Sequence, residues 1–216
     1  MMFRLAVNSL KIMQPTQILM LKKMNVCVFC SSSNGVSDIY FDAAEELGIL
    51  IANGNHSLIY GGANVGLMEK VAHTVKMNNG KILGVIPQKI YDRNLFSEHP
   101  NELLVTATMD ERKAIMRDRS DAFIALPGGF GTLEEILEVI TLKQLDYHRK
   151  PIVFLNTNGF FNDLFIQFEK SFSEHFAKES YRNLYHVCDS PEEAVAYISV
   201  YQYEDLGPKW FNVPSK

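Results

Sequence analysis

The sequence predicts one doubly wound α/β domain, a parallel sheet covered by helices on both faces. Three observations lead there. Apolar, β-branched runs alternate with helical patterns from residue 25 to residue 198. The strand runs are nearly continuous rather than alternating, as in strands buried on both faces. No composition break or internal repeat divides the 216 residues, so right-handed crossovers wind them into one sheet. Ligands of such folds sit beyond the carboxyl ends of the strands. Loops 31–37, 61–66, 87–101 and 127–132 are therefore the places to look.

Asn25-Val-Cys-Val-Phe-Cys30 reads as a buried strand, followed by a polar loop from Ser31 to Gly35. Ser37 is placed to cap a helix whose apolar face is Tyr40, Ala43, Ala44, Leu47 and Ile51. Asn53-Gly54 stops it. Ser57 to Tyr60 is a strand, Gly61-Gly62 a tight turn, and Asn64 the expected cap of a helix to about Asn78. Lys81 to Ile86 is a strand closed by Pro87, and residues 88–101 read as a long polar loop. Leu103 to Thr106 is a strand, Asp110 to Arg119 a helix, and Ala122 to Leu126 a strand. Pro127-Gly-Gly-Phe-Gly131 turns the chain, and Thr132 begins a helix to about Leu145. Pro151 to Leu155 is the next strand. Phe161, Leu164, Phe165, Phe168, Phe172 and Phe176 then form one helical stripe, which reads as core packing. Leu184 to Val187 is the last strand. Ser190-Pro-Glu-Glu193 is a capping box with proline at the first helical position. From Tyr201 onward, including Trp210, no element is legible.

Hydrophobic residues make up 47% of the chain and charged residues 21%, values of an ordinary globular protein. The net charge of −4 offers no global field for nucleic acid or an anionic membrane. No apolar run approaches the ~18 residues of a membrane span, and three cysteines make no disulfide framework. The expectation is a cytoplasmic protein that binds neither nucleic acid nor membrane. Residues 1–23 hold Arg4, Lys11, Lys22 and Lys23 and no acid, and read as an extension outside the fold. The domain is expected over 24–200, with a tail over 201–216.

Most chemical motifs are absent. Cys27 and Cys30 lie three apart in a strand and point to opposite faces, so they make no metal or redox pair. The six histidines show no ligand spacing, and no zinc-protease, nucleophile-elbow, P-loop or dinucleotide fingerprint occurs. Pro127-Gly-Gly-Phe-Gly-Thr-Leu-Glu-Glu135 is the informative segment. Gly128, Gly129 and Gly131 allow close backbone approach to a ligand, and the helix start with the Thr132 hydroxyl suits a phosphate. Gly61-Gly62 offers a second such loop. Glu135 is ambiguous, because Thr132-Leu-Glu-Glu135 is also a capping box. Arg112, on the apolar side of its helix with Ile115 and Met116, is positioned to reach inward to an anion or carboxylate. Lys113 could serve the same anion or only solvent.

These residues resemble the Lonely Guy (LOG) family, whose signature is P-G-G-x-G-T-x-x-E. The likeness covers roughly residues 25–198 and includes Tyr60-Gly-Gly-Ala-Asn-Val-Gly-Leu-Met68 and Met109-Asp-Glu-Arg-Lys-Ala-Ile-Met116. Members often carry a lysine-decarboxylase label. The resemblance implies a Rossmann-like, homodimeric phosphoribohydrolase that cleaves cytokinin riboside 5′-monophosphates or AMP without a cofactor or metal. It implies Arg112 and Glu135 as the catalytic pair. It implies substrate binding by Lys113, by the loop with Gly128, Gly129, Phe130, Gly131, Thr132 and Glu134, by Thr141, and by Ser31, Gly61 and Gly62. Ala63, Glu69 and Asp146 stand where the family often has glycine, and Asn94 where an acid is expected. A non-hydrolytic carrier of the same fold, like the molybdenum-cofactor carriers, is the alternative; it would not need the Arg112–Glu135 pair.

Overall fold

A computed structural model describes residues 22–207. Its strands are β1 (Asn25–Phe29), β2 (Ser57–Tyr60), β3 (Lys81–Pro87), β4 (Glu102–Thr106), β5 (Ala122–Ala125), β6 (Ile152–Leu155) and β7 (His186–Cys188). Its helices are α1 (Asp38–Asn53), α2 (Gly66–Met77), α3 (Gln88–Tyr91), α4 (Met109–Arg119), α5 (Phe130–Gln144), α6 (Asn162–Ser173) and α7 (Pro191–Val200). Short 3-10 turns lie at Thr157–Gly159 and Glu179–Leu184.

All seven strands pair in parallel in the order β4-β3-β2-β1-β5-β6-β7. The chain steps outward from β1 to β4, then crosses back to lay β5 on the other side of β1. The order reverses between β1 and β5, so a crevice opens beyond their carboxyl ends. The loops that leave there are Cys30–Ser33 and Pro127–Gly129.

The continuous apolar runs have the cause expected of them. β5 and β6 are fully buried along their length. One face of the sheet packs Val26, Val28, Leu58 and Ile124 against Leu47, Ile51, Leu67 and Val71 of α1 and α2. The other packs Phe29, Ile59, Phe123 and Phe154 against Met116, Ile136 and Val139 of α4 and α5. Cys27 belongs to the second core and Cys30 to the first, so the two thiols do face apart.

Several elements differ from the sequence expectation. Asn64 is not the cap of α2: that helix begins at Gly66 with Val65 at N-cap. Asn34, from the loop after β1, accepts the Gly66 N–H at 2.8 Å instead. Gly66 has φ +58°, and a Cβ there would meet Ser32 backbone at 2.5 Å, so glycine lets α2 dock on that loop. The aromatic stripe is shorter than expected. Phe161, Leu164, Phe165 and Phe168 pack around Phe154, but α6 ends at Ser173, His175 turns left-handed at φ 63°, and Phe176 is 83% exposed. Residues 88–101 begin with the single turn of α3 and then pair Phe96 with Ala63 as an antiparallel bridge. The last strand starts at His186, because Glu179–Leu184 form a 3-10 turn.

Asp146, where the family often has glycine, adopts φ 60° and binds Arg149 at 3.0 Å. Residues 201–207 return over the domain: the Lys143 ammonium lies 4.7 Å from the Tyr201 ring centroid. Residues 1–21 and 208–216, with Trp210, lie outside the described residues, and so does most of the expected N-terminal extension. No described helix is long and apolar enough to cross a membrane.

Phe154 is fully buried, with Phe161, Phe165 and Tyr185 within 5.1–5.4 Å between ring centroids. Phe154→Ala is expected to lower unfolding free energy by about 3–5 kcal/mol in urea titrations. A loss below about 1 kcal/mol would contradict this packing.

Candidate active site

The glycine loop after β5 leads directly into α5, whose N-cap is Gly129. The helix starts at Phe130, so Thr132 is its third residue and not its cap. The capping-box reading of Thr132 and Glu135 is thereby excluded. The first backbone bond of the helix runs from the Leu133 N–H to the Gly129 carbonyl at 3.1 Å. The N–H groups of Phe130, Gly131 and Thr132 thus have no acceptor within the helix. They lie at the positive end of its dipole.

Glu135 turns instead toward Arg112. Its Oε1 accepts a hydrogen bond from Arg112 Nη1 at 2.6 Å. Arg112 reaches it because α4 starts at a well-formed cap. Thr108 Oγ1 accepts the Glu111 N–H at 3.1 Å, and Glu111 Oε2 accepts the Ala107 N–H at 2.9 Å. One turn into α4, the Arg112 side chain is buried and its Nε donates to the Val85 carbonyl at 3.0 Å. Gly61 supplies the space. A Cβ at residue 61 would lie 2.3 Å from Arg112 Nη2. Lys113 pairs with Glu134 and with Glu138, the latter at 3.6 Å, and Arg117 with Glu138 at 2.9 Å. These pairs clamp α4 to α5 and fix the catalytic candidates in register.

Burial is the largest influence on Glu135 and raises its carboxyl above the ordinary range. The charge and hydrogen bond of Arg112 pull in the other direction without cancelling it. The pair is thus close and poorly solvated, with burial and the Arg112 charge acting on the carboxyl in opposite directions. Glu134 helps raise the Lys113 amine by hydrogen bonding to it.

A cavity of about 670 Å³ opens at the strand-order reversal. Ser31, Arg112, Gly129, Gly131, Thr132 and Glu135 line its polar end, and Val65, Met68, Ile90, Leu95 and Met109 its apolar wall. Gly61 and the 93% exposed Phe130 also border it. Cβ atoms built at Gly129 or Gly131 would meet nothing within 4 Å, so both glycines face open space. Ser31 is held by three backbone and side-chain bonds, including Leu67 N–H to its carbonyl at 2.9 Å.

Other expected residues lie outside this lining. Gly62, at φ +75°, packs under Ile86 and Leu103. Gly128 sits so tightly beneath Thr132 that a Cβ would be 2.1 Å from Thr132 Oγ1. Lys113 and Glu134 occupy each other. Thr141 donates to the Leu137 carbonyl at 2.9 Å and borders a separate groove of about 180 Å³ between α5 and α6. The Val85 carbonyl and the apolar wall were not found from sequence. A carbonyl has no sequence signal, whereas Ile90 and Leu95 are apolar exceptions in a polar segment. Among the described residues, no group of three or more His, Cys, Asp or Glu side chains could hold a metal ion.

This arrangement is that of a nucleotide-sized cleft with a buried arginine–carboxylate pair. A family model described as "Possible lysine decarboxylase" matches residues 68–198. The chain is 43% identical over 191 residues to a probable cytokinin riboside 5′-monophosphate phosphoribohydrolase of Oryza sativa subsp. japonica, covering 88% of this chain and 76% of that protein. It is 41% identical over 177 residues to a cytokinin riboside 5′-monophosphate phosphoribohydrolase of Arabidopsis thaliana, covering 82% and 78%. Among solved structures, a molybdenum cofactor binding protein from Rippkaea orientalis superposes with a TM-score of 0.64 at 26% identity, over 82% of this chain and 96% of that one. The chain belongs to the LOG phosphoribohydrolase family.

Deleting one partner of the buried pair strands the other charge. Glu135→Ala is expected to cost about 3 kcal/mol of stability by urea denaturation, and Glu135→Gln, which still accepts from Arg112, clearly less. Equal losses would show that the Arg112 contact is not what holds this region.

Proposed function

We infer that this chain hydrolyses the N-glycosidic bond of purine nucleoside 5′-monophosphates, AMP or its prenylated counterpart, to free base and ribose 5-phosphate. The observation that carries this is the buried Arg112–Glu135 pair beside the open N-terminus of α5, in one cleft. Relatives 41–44% identical bear the name of that reaction.

The phosphate is received by the N–H groups of Phe130, Gly131 and Thr132, with Ser31 opposite. That anchor holds the ribose against Glu135. As the C1′–N bond breaks, positive charge grows on the ribose, and the carboxylate stabilises it from a site with little solvent. Water adds its hydroxyl to C1′, guided by Glu135, and its proton ends on the released base. Arg112 keeps Glu135 ionised; its Nη2, which makes no hydrogen bond among the described residues, is left for the substrate. The base points to the apolar wall. Gly62 and Gly128 shape the loops, while Lys113 and Glu134 brace α4 on α5. Thr141 has no part in these steps within one chain.

The family resemblance and the exposed apolar surface around α6, with Ile166 66% and Phe176 83% exposed, support a homodimer. Its place of work is the cytoplasm. Light scattering is expected to give about twice the 24.5 kDa chain mass; a monomer at micromolar concentration would refute the dimer.

A carrier reading draws on the Rippkaea orientalis likeness. It predicts binding of AMP or isopentenyladenosine monophosphate with no free base by chromatography. The hydrolase reading predicts base release, reduced ~100-fold or more in Glu135→Gln with the fold retained. It also predicts that kcat/KM falls at acid pH. The raised carboxyl of Glu135 keeps its proton to higher pH than an ordinary glutamate, so the acid limb lies above the usual value of 4.5. Near wild-type turnover by Glu135→Gln would remove Glu135 from the mechanism.

A further inference from the structure

Glu69 and His99 take no part in the chemistry just described, yet they meet beside the apolar end of the cavity. Glu69 follows Met68, a wall residue, in the first turn of α2. Its Oε1 lies 2.9 Å from His99 Nε2. His73, one helical turn on, packs edge-on against the same imidazole with 5.1 Å between ring centroids. Two side chains four residues apart on one helix face therefore grip His99. His99 belongs to the 88–101 segment, which supplies Ile90 and Leu95 to the cavity wall.

Backbone bonds carry the attachment toward the wall. The Asn64 N–H donates to the Leu95 carbonyl at 3.1 Å, and the Ser97 N–H to the Gly62 carbonyl at 2.9 Å. The His99 N–H donates to Ser97 Oγ at 3.3 Å. Behind them, Glu69 Oε2 is buried without a hydrogen-bond partner among the described residues, and the buried Tyr60 hydroxyl lies near Ser97 and Glu69. Burial pushes the Tyr60 phenol up, Ser97 opposes this, and the Glu69 charge adds to it. Such groups are unfavourable to keep where packing is the only requirement.

We propose that Glu69 and His99 are positioning residues that set which base the enzyme accepts, by pinning the 88–101 segment to α2. The inference rests on the reading that the base points to the apolar wall. With the pin in place, Leu95 and Ile90 are fixed against Met68 and define the space beyond the purine ring. Without it, the wall yields. Nucleotides are then held less firmly, and discrimination between AMP and a nucleotide with a bulky apolar N6 group narrows. Arg112 and Glu135 are not touched, so the bond-breaking step keeps its rate.

The test compares wild type, Glu69→Ala, His99→Ala and the double variant in the full chain, with kcat and KM measured for AMP and isopentenyladenosine monophosphate. Each single change is expected to shift the ratio of the two KM values ~5-fold or more while kcat stays within about 2-fold. The double variant is expected to shift it no further than the larger single change, because one interaction is lost in each. His99→Gln, which still donates to Glu69, is expected to restore the wild-type ratio. An unmoved ratio in both single variants, multiplying effects in the double, or a kcat loss at constant KM would overturn the proposal. Kd values for the two nucleotides by calorimetry read the same ratio without turnover. A wild type that releases no adenine therefore defeats the hydrolase reading alone, and an unmoved ratio in an active enzyme defeats the pin alone.

Discussion

A buried arginine and a largely covered glutamate facing each other at 2.6 Å organise this molecule's cleft. Neither is stable there alone, because an unpaired charge in that environment is strongly destabilising. Each therefore constrains its surroundings. Arg112 needs the Val85 carbonyl for its Nε and the absence of a side chain at Gly61. Glu135 needs α5 to begin at Phe130, a turn early enough to aim its carboxylate across to α4. The Lys113–Glu134 and Arg117–Glu138 pairs then keep the two helices aligned. Partly exposed ion pairs of this kind contribute little stability individually; their value here is registry.

The sheet order makes the pair useful. Because β5 sits beside β1, the glycine loop after β5 and the serine loop after β1 leave the sheet as neighbours. Ser31, the start of α5 and the arginine–carboxylate pair thereby line one polar end of the cavity, which is where the proposed function places the phosphate. The chain's net charge of −4 is no obstacle. The field at the site comes from Arg112 and a helix N-terminus at close range, whereas distant surface acids are screened over about 10 Å.

Much of this was legible in the sequence. The inner strands were legible because burial on both faces forces continuous apolar runs, and β2 was placed to the residue; the edge strands β4 and β7 are only partly buried, and β7 starts two residues later than expected. The inward reach of Arg112 was legible, since an arginine on an apolar helix face has to find an anion or carboxylate, and it finds Glu135; spacing alone left Glu135 open between a cap and a site. The missing parts are those decided by tertiary approach. Thr132-Leu-Glu-Glu135 looks like a cap in isolation, but the extended backbone at Gly129 starts the helix earlier. Asn64 is a good cap residue that was displaced by Asn34 from another loop. The 88–101 segment reads as a loop because its attachments are backbone bonds to residues 62–64 and the His99 contacts to α2. Lys113, Glu134 and Thr141 were expected at the substrate and stand outside the cavity lining of one chain.

The central claim is that the start of α5 takes the phosphate while Glu135 faces the sugar carbon that is cleaved. A crystal structure of Glu135→Gln with AMP bound tests it most directly. The account predicts phosphate oxygens within hydrogen-bond distance of the Phe130, Gly131 and Thr132 N–H groups, and C1′ beside residue 135. AMP bound with its phosphate at the apolar wall, or outside the cleft between β1 and β5, would contradict it.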